Sequence, residues 1–180
     1  MTRNTHPDYF KYFLKILGYG IVPLFFFLPF LKSDILHTNY TGLLSEPSTA
    51  IWFYVFVIPA FGYLGFLLYR LLEIPNKKIY FILFLCCVIL GIRIPYAASS
   101  TLSSLHLFFS YLSFSLFQAF MFFIFKTKTF PTFYVGALIL AAMISLTFSS
   151  INGLAEAIFF ASVSITLTKQ FLTSSKTPLS

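Results

Sequence analysis

The chain has 180 residues, of which 58% are hydrophobic and only 9% are charged. An ordinary soluble domain has about a quarter of its residues charged, so this composition excludes that class. The formal net charge of +7 would suit a protein that binds nucleic acid, but the placement of the basic residues described below excludes such a partner.

Six long apolar segments occupy most of the chain. A helix of about 20 apolar residues matches the hydrocarbon thickness of a bilayer. The segments are continuously apolar rather than alternating, which favours helices over the strands of a membrane barrel. The sequence therefore predicts an all-α, polytopic integral membrane bundle, with residues 1–180 forming one domain of six transmembrane helices. The predicted spans are roughly residues 10–31, 51–72, 79–94, 104–125, 130–149 and 151–171.

The first span is predicted to be retained rather than cleaved. It is longer than the apolar region of a signal peptide, and no small-x-small cleavage pattern follows Leu31. Pro23 and Pro29 lie within this span, and Pro59 lies within the second. Because proline has no amide hydrogen, we expect kinks at these positions.

The basic residues collect at alternate gaps between the spans. Only Lys32 and Arg93 of the twelve fall in the other gaps. Lysine and arginine resist translocation, so the gaps rich in them are expected to face the cytoplasm. Both termini are therefore predicted to be cytoplasmic. Two termini on the same side require an even number of crossings, which agrees with six spans. The ten residues of this set are Arg3, Lys11, Lys15, Arg70, Lys77, Lys78, Lys126, Lys128, Lys169 and Lys176.

Two adjacent cysteines, Cys86 and Cys87, lie in the middle of the third span. Their spacing is that of neither a redox C-x-x-C motif nor a metal-binding pair. We expect them to pack as apolar side chains.

A small set of polar residues is predicted to form an outward-facing site. Glu156 lies about one turn inside the sixth span, and His106 lies near the outer start of the fourth. An ionised carboxylate in a membrane usually faces the bundle interior and finds a partner, so Glu156 is expected to pair with Arg93 or His106. The predicted ligand-binding residues are Glu156, His106, Arg93, Asn152, Glu46 and Ser110.

Two interpretations of this set remain open. One is a polar cavity for a lipid headgroup, a small solute or a proton; the other is an internal ion pair that orients the third, fourth and sixth helices. The fourth span also carries a second polar stripe, which indicates a helix at the centre of the bundle. That stripe consists of Tyr111, Ser115 and Gln118.

Other chemistry has little support in the sequence. His6 and His37 lie outside the spans on opposite sides, which argues against bis-histidine haem. The spacing of the histidines and carboxylates does not require a metal site, and no nucleophile motif surrounds Ser110. We therefore expect no cofactor, no metal and no catalytic residue.

The layout resembles that of the damage-regulated autophagy modulator-like membrane proteins and a related prokaryotic six-helix domain of unknown function. The resemblance rests on Leu44-Ser45-Glu46, on the stretch from Pro95 to Leu107, and on residues 152–156 (Asn-Gly-Leu-Ala-Glu). It implies that Glu46, His106 and Glu156 match recurring polar positions of that group, and it implies no enzymatic activity. Unlike in the eukaryotic members of that group, the first outer loop is short and lacks cysteines. The resemblance is therefore to a bacterial-type member, and it favours a location in a bacterial cytoplasmic membrane.

Three functional classes are compatible with these features. The leading hypothesis is a non-enzymatic membrane protein that binds a lipid or small ligand, with membrane lipids and a membrane protein as its partners. A substrate-binding or permease subunit of a transporter is the alternative. A membrane enzyme acting on lipid substrates is a further one, although the chain has only five carboxylates for such chemistry.

Overall fold

The computed structural model describes residues 9–94, 101–125 and 131–174. Its described residues form helices and contain no strand, which confirms the all-α prediction. Pro95 and the basic residues Arg3, Lys126, Lys128 and Lys176 lie outside the described residues, so the predictions that fall on them concern the sequence alone.

Six long helices and one short helix make up the described part of the chain. The ends of the long helices differ from the predicted spans by at most four residues, the largest difference being a start at Pro47 instead of residue 51. The helices are α1 (Tyr9–Lys32), α2 (Tyr40–Leu43), α3 (Pro47–Leu71), α4 (Lys77–Arg93), α5 (Thr101–Phe125), α6 (Thr132–Thr147) and α7 (Gly153–Ser174).

Three of these helices are long and apolar enough to cross a membrane. They are α1, α3 and α5, with 24, 25 and 25 residues. Helix α6 is apolar but shorter, with 16 residues. Helix α7 has 22 residues and is less apolar than α6, because it carries Glu156, Lys169, Gln170 and several serines and threonines.

Helix α7 forms the centre of the bundle. Twelve of its 22 residues are buried, and α1, α3 and α6 pack against it. Helix α5 reaches α7 through the rings of Phe114 and Phe117, whose centroids lie 5.7 and 5.9 Å from that of Phe159. The prediction that the fourth span is central is therefore wrong: Tyr111 and Ser115 of α5 are exposed, and α5 packs mainly against α4.

Each proline predicted to kink a helix lies within or next to an irregular segment. Pro23 follows a π-helical turn at Leu17–Ile21, and Pro59 follows another at Phe53–Val57. Pro29 lies in a 3₁₀ segment at Leu28–Lys32. Proline removes one helical hydrogen bond and crowds the preceding turn, so the backbone changes its hydrogen-bonding pattern there.

The π-helical turn of α1 leaves one carbonyl to be satisfied from another helix. The amide of Val22 donates to the carbonyl of Leu17 instead of Gly18, and Pro23 has no amide hydrogen. The hydroxyl of Ser164 donates to the Gly18 carbonyl at 2.9 Å and so replaces the missing helical hydrogen bond. A polar group of α7 thereby stabilises an irregular backbone in a buried environment.

Gly18 also permits a close approach of α1 to α7. A Cβ atom at Gly18 would collide with the side chain of Thr168, whose Oγ1 lies 2.8 Å from the hydroxyl of Tyr63. At Gly20, two residues further along the chain, a Cβ would meet nothing within 4 Å. Helices α1, α3 and α7 therefore meet at Gly18.

Candidate functional site

The connection between α1 and α3 folds back into the helix bundle. Asn39 caps the short helix α2, because its side-chain Oδ1 accepts a hydrogen bond of 2.8 Å from the amide of Gly42. The next residue, Tyr40, is only 4% exposed. Its hydroxyl donates to the carbonyl of Phe26 at 2.7 Å, and its ring packs beside Phe30 and Phe160. Tyr40 therefore anchors this connection in the core.

Glu156 holds the same connection from the central helix. Its Oε2 accepts a hydrogen bond of 2.7 Å from the backbone amide of Tyr40. This amide begins α2, where helix geometry leaves no backbone acceptor for it. A carboxyl oxygen at such a position satisfies the amide. Glu156 thus fixes the connection between α1 and α3 onto α7.

Backbone bonds complete the closure over the start of α7. The amide of Gly153 donates to the carbonyl of Thr38 at 2.7 Å, and the amide of Leu154 donates to that of Ile35 at 3.1 Å. Asn152 is buried and caps α7, its Oδ1 accepting from the amide of Ala155 at 3.0 Å. Its Nδ2 is shielded and has no hydrogen-bond partner among the described residues. Asn152 is therefore part of the structure beneath the connection.

A polar depression of about 480 Å³ lies at this end of the molecule. Its wall is formed by the connection, by the start of α3 and by the turn between α6 and α7. Glu46, one of the predicted site residues, lines it, whereas Glu156 does not. The lining residues are Lys32, Ser33, Asp34, His37, Thr38, Asn39, Gly42, Ser45, Glu46, Thr49, Ser150 and Ile151.

Asp34 and His37 form a hydrogen bond on the rim of the depression. Oδ2 of Asp34 lies 2.7 Å from Nδ1 of His37, and Oδ1 accepts from the amide of Leu36 at 2.9 Å. The hydrogen bond from His37, followed by that from Leu36, lowers the pKa of Asp34 below its ordinary value. The carboxylate therefore stays ionised at neutral pH.

The other predicted site residues belong to the α4–α5 pair. Nδ1 of buried His106 lies 2.8 Å from the carbonyl of Ile94, just after the end of α4. Ser110 packs against Gly91, where a Cβ would lie 3.2 Å from the Ser110 hydroxyl. Arg93 is exposed. Within the described residues, no hydrogen bond or ion pair joins Glu156 to Arg93 or to His106.

Sequence reasoning identified Glu156, Asn152 and Glu46 but missed Tyr40, whose backbone amide bonds to Glu156. Tyr40 is conspicuous in the sequence only as the middle of a possible glycosylation sequence, Asn39-Tyr40-Thr41. The available signal was a large aromatic residue directly after a capping asparagine. In the described part of the chain, no group of three or more histidine, cysteine or acidic side chains could hold a metal ion.

Replacing Glu156 with alanine is expected to destabilise the outer connection. The change leaves the Tyr40 amide without its acceptor, which costs roughly 1–3 kcal/mol when the donor is buried. Glu156→Gln is the matched control, because its amide oxygen can still accept the bond and the loss should be smaller. The measurements are the apparent Tm in detergent and the hydrogen-exchange rate of the Tyr40 amide. Unchanged exchange at Tyr40 in the alanine variant would contradict the assigned role.

Comparison of the chain with protein-family models, with curated proteins and with solved structures finds no match in any of the three.

Proposed function

We propose that the chain is a six-span membrane protein with both termini in the cytoplasm. The six long helices coincide with the six apolar segments, and three of them are long and apolar enough to cross a membrane. The more polar character of α7 fits this proposal, because a helix surrounded by other helices needs little lipid-facing surface. The asymmetry of the basic residues gives the orientation.

The proposed activity is non-enzymatic binding of a polar ligand at the non-cytoplasmic end. The observation that carries this proposal is the 480 Å³ depression above the start of the central helix. Ligand sites are typically concave and offer a few hydrogen-bonding groups in fixed positions. Here the position of the wall is fixed, because Tyr40, Glu156 and Asn39 fasten the connection to the bundle.

The charges of the depression favour a ligand that carries both signs. Lys32 provides a positive side chain, and Glu46 provides an exposed carboxylate that makes no hydrogen bond with the described residues. Ser33 contributes a shielded hydroxyl without a hydrogen-bond partner in the described part of the chain. A zwitterionic lipid headgroup or a small zwitterionic solute matches this combination. Arg93 and His106 are left out of the proposed site, because they lie on the α4–α5 pair.

The resemblance to the damage-regulated autophagy modulator-like proteins is part of the same proposal. It agrees with a non-enzymatic membrane protein and with the position of Glu46 and Glu156 at one end. Of the three classes compatible with the sequence, ligand binding has the most support, since a fixed concave wall is what a binding site requires.

The test is a thermal-shift screen of the detergent-purified protein with zwitterionic phospholipids and with small zwitterionic solutes. We expect a hit to raise the apparent Tm of the wild type, since a ligand stabilises by RT ln(1 + [L]/Kd). The double variant Glu46→Gln/Lys32→Gln should lose most of that shift. Glu73→Gln, at the opposite end of α3, is the matched control and should retain it. A shift that survives in the double variant would overturn the proposed site.

A further inference from the structure

The charges of the described residues are divided unevenly between the two ends of the bundle. The start of α1 lies beside the ends of α3 and α7, because Tyr63 of α3 contacts Thr168 and lies 3.4 Å from the carbonyl of Leu14. This end holds six described basic residues and one acidic residue, Glu73. The other end holds two basic and three acidic residues among those described. The six are Lys11, Lys15, Arg70, Lys77, Lys78 and Lys169.

A depression of about 550 Å³ lies at the basic end, at the turn between α3 and α4. Its lining combines the aliphatic side chains of Leu72, Ile74 and Ile79 with the two lysines at the start of α4. One acidic residue, Glu73, also lines it, so the lysines leave a positive balance of charge. Asn76 has φ 54° and directs the chain from α3 into α4. The depression is therefore apolar on one part of its wall and positively charged on another.

The basic side chains around this turn differ in whether they contact other residues of the chain. Nζ of Lys77 lies 4.8 Å from the ring centroid of Tyr69 and donates to the Tyr69 carbonyl at 3.4 Å. Arg70 and Lys78 are both exposed, and neither side chain makes a hydrogen bond or ion pair within the described residues. Their charges are thus available to a partner from outside the chain.

We propose that this turn binds the headgroup of an anionic phospholipid. The phosphate would contact Lys78, and the glycerol and upper acyl chains would lie against Ile74 and Ile79. Arg70, which precedes the lining residues by two positions at the end of α3, would add its positive charge nearby. Arginine and lysine are the side chains that bind phosphate most often. Basic residues at the cytoplasmic ends of membrane helices attract anionic lipids. The apolar part of the wall favours a phospholipid over a free phosphate ion, which has nothing to place there.

The proposal rests on the spanning arrangement proposed above but not on the ligand site. The two depressions lie at opposite ends of the bundle, so the variants that test one leave the other intact. Failure of the zwitterionic ligand screen would therefore leave this inference intact. Failure of the lipid titration below would likewise leave the proposed ligand site intact.

The test is a titration of the detergent-purified full chain by native mass spectrometry. The lipids are a phosphatidylglycerol and an uncharged diacylglycerol with the same acyl chains, neither of which is zwitterionic. We expect the phosphatidylglycerol to bind on the order of tenfold more tightly, since each basic side chain near the headgroup contributes about a factor of five. Arg70→Gln/Lys78→Gln should abolish that preference, whereas Arg93→Gln at the other end, outside both depressions, should keep it.

A charge-preserving variant guards against a loss caused by misfolding. Arg70→Lys/Lys78→Arg should retain the preference for phosphatidylglycerol. Equal binding of the two lipids by the wild type, or an unchanged preference in the glutamine double variant, would overturn the proposal. Full displacement of the lipid by inorganic phosphate would also overturn it, because the site would then recognise phosphate alone.

Discussion

Gly18→Ala is expected to destabilise the bundle by roughly 1–3 kcal/mol, the usual cost of overpacking a core. The added Cβ would collide with Oγ1 of Thr168 and would lie 2.6 Å from its Cγ2. Thr168 is 1% exposed, so its side chain has little room to move away. The substitution should also weaken the bond from Ser164 to the Gly18 carbonyl, because α1 must shift away from α7. The measurement is the apparent Tm of the purified protein in detergent.

Gly20→Ala is the matched control for this variant. It lies in the same π-helical turn, yet its Cβ would meet nothing within 4 Å. Alanine is the better helix former by roughly 0.5–1 kcal/mol, so this change should be neutral or stabilising. Combining Gly18→Ala with Thr168→Ala should recover part of the loss, because both colliding atoms of Thr168 are removed. Equal Tm values for Gly18→Ala and Gly20→Ala would show that α1 and α7 do not meet as described.

Gly153→Ala is expected to have an effect of similar size at the other end of α7. The new Cβ would collide with the ring of Phe30 and would lie 2.8 Å from the carbonyl oxygen of Thr38. That carbonyl already accepts the Gly153 amide at 2.7 Å, so the connection would have to move outward to make space. We expect a loss of roughly 1–3 kcal/mol.

Hydrogen exchange shows which part of the chain Gly153→Ala destabilises. Amides of the connection between α1 and α3 should exchange faster in Gly153→Ala, whereas amides at the basic end should change little. Gly136→Ala in α6 is the control, since a Cβ there meets nothing within 4 Å. Slow, wild-type exchange at Tyr40 in Gly153→Ala would contradict the tight packing of the connection on α7.

The helices could be predicted from the sequence because their signal is local. A run of about 20 apolar residues needs no knowledge of its neighbours to be recognised as a span. The irregular segments were equally accessible, since Pro23, Pro29 and Pro59 each remove an amide hydrogen from the helix. What could not be read locally was which helix is central, because that depends on the packing of all of them.

The pairing of Glu156 shows the same limit at the site. Coulomb attraction suggested Arg93 or His106, the nearest charged and titratable residues at the predicted depth. The structure supplies a backbone amide instead, which is present at every residue except proline and so leaves no mark in the sequence. Only the path of the connection, set by Asn39 and Tyr40, decides which amide reaches the carboxylate.

The hydrogen bond from the Ser164 hydroxyl to the Gly18 carbonyl has a consequence for biosynthesis. In the proposed membrane arrangement, α1 is synthesised long before α7, so the Gly18 carbonyl would reach the membrane without its eventual donor. In hydrocarbon an unpaired carbonyl costs several kcal/mol, which would disfavour early release of α1 into lipid. We therefore expect integration of the first helix to depend on synthesis of the last.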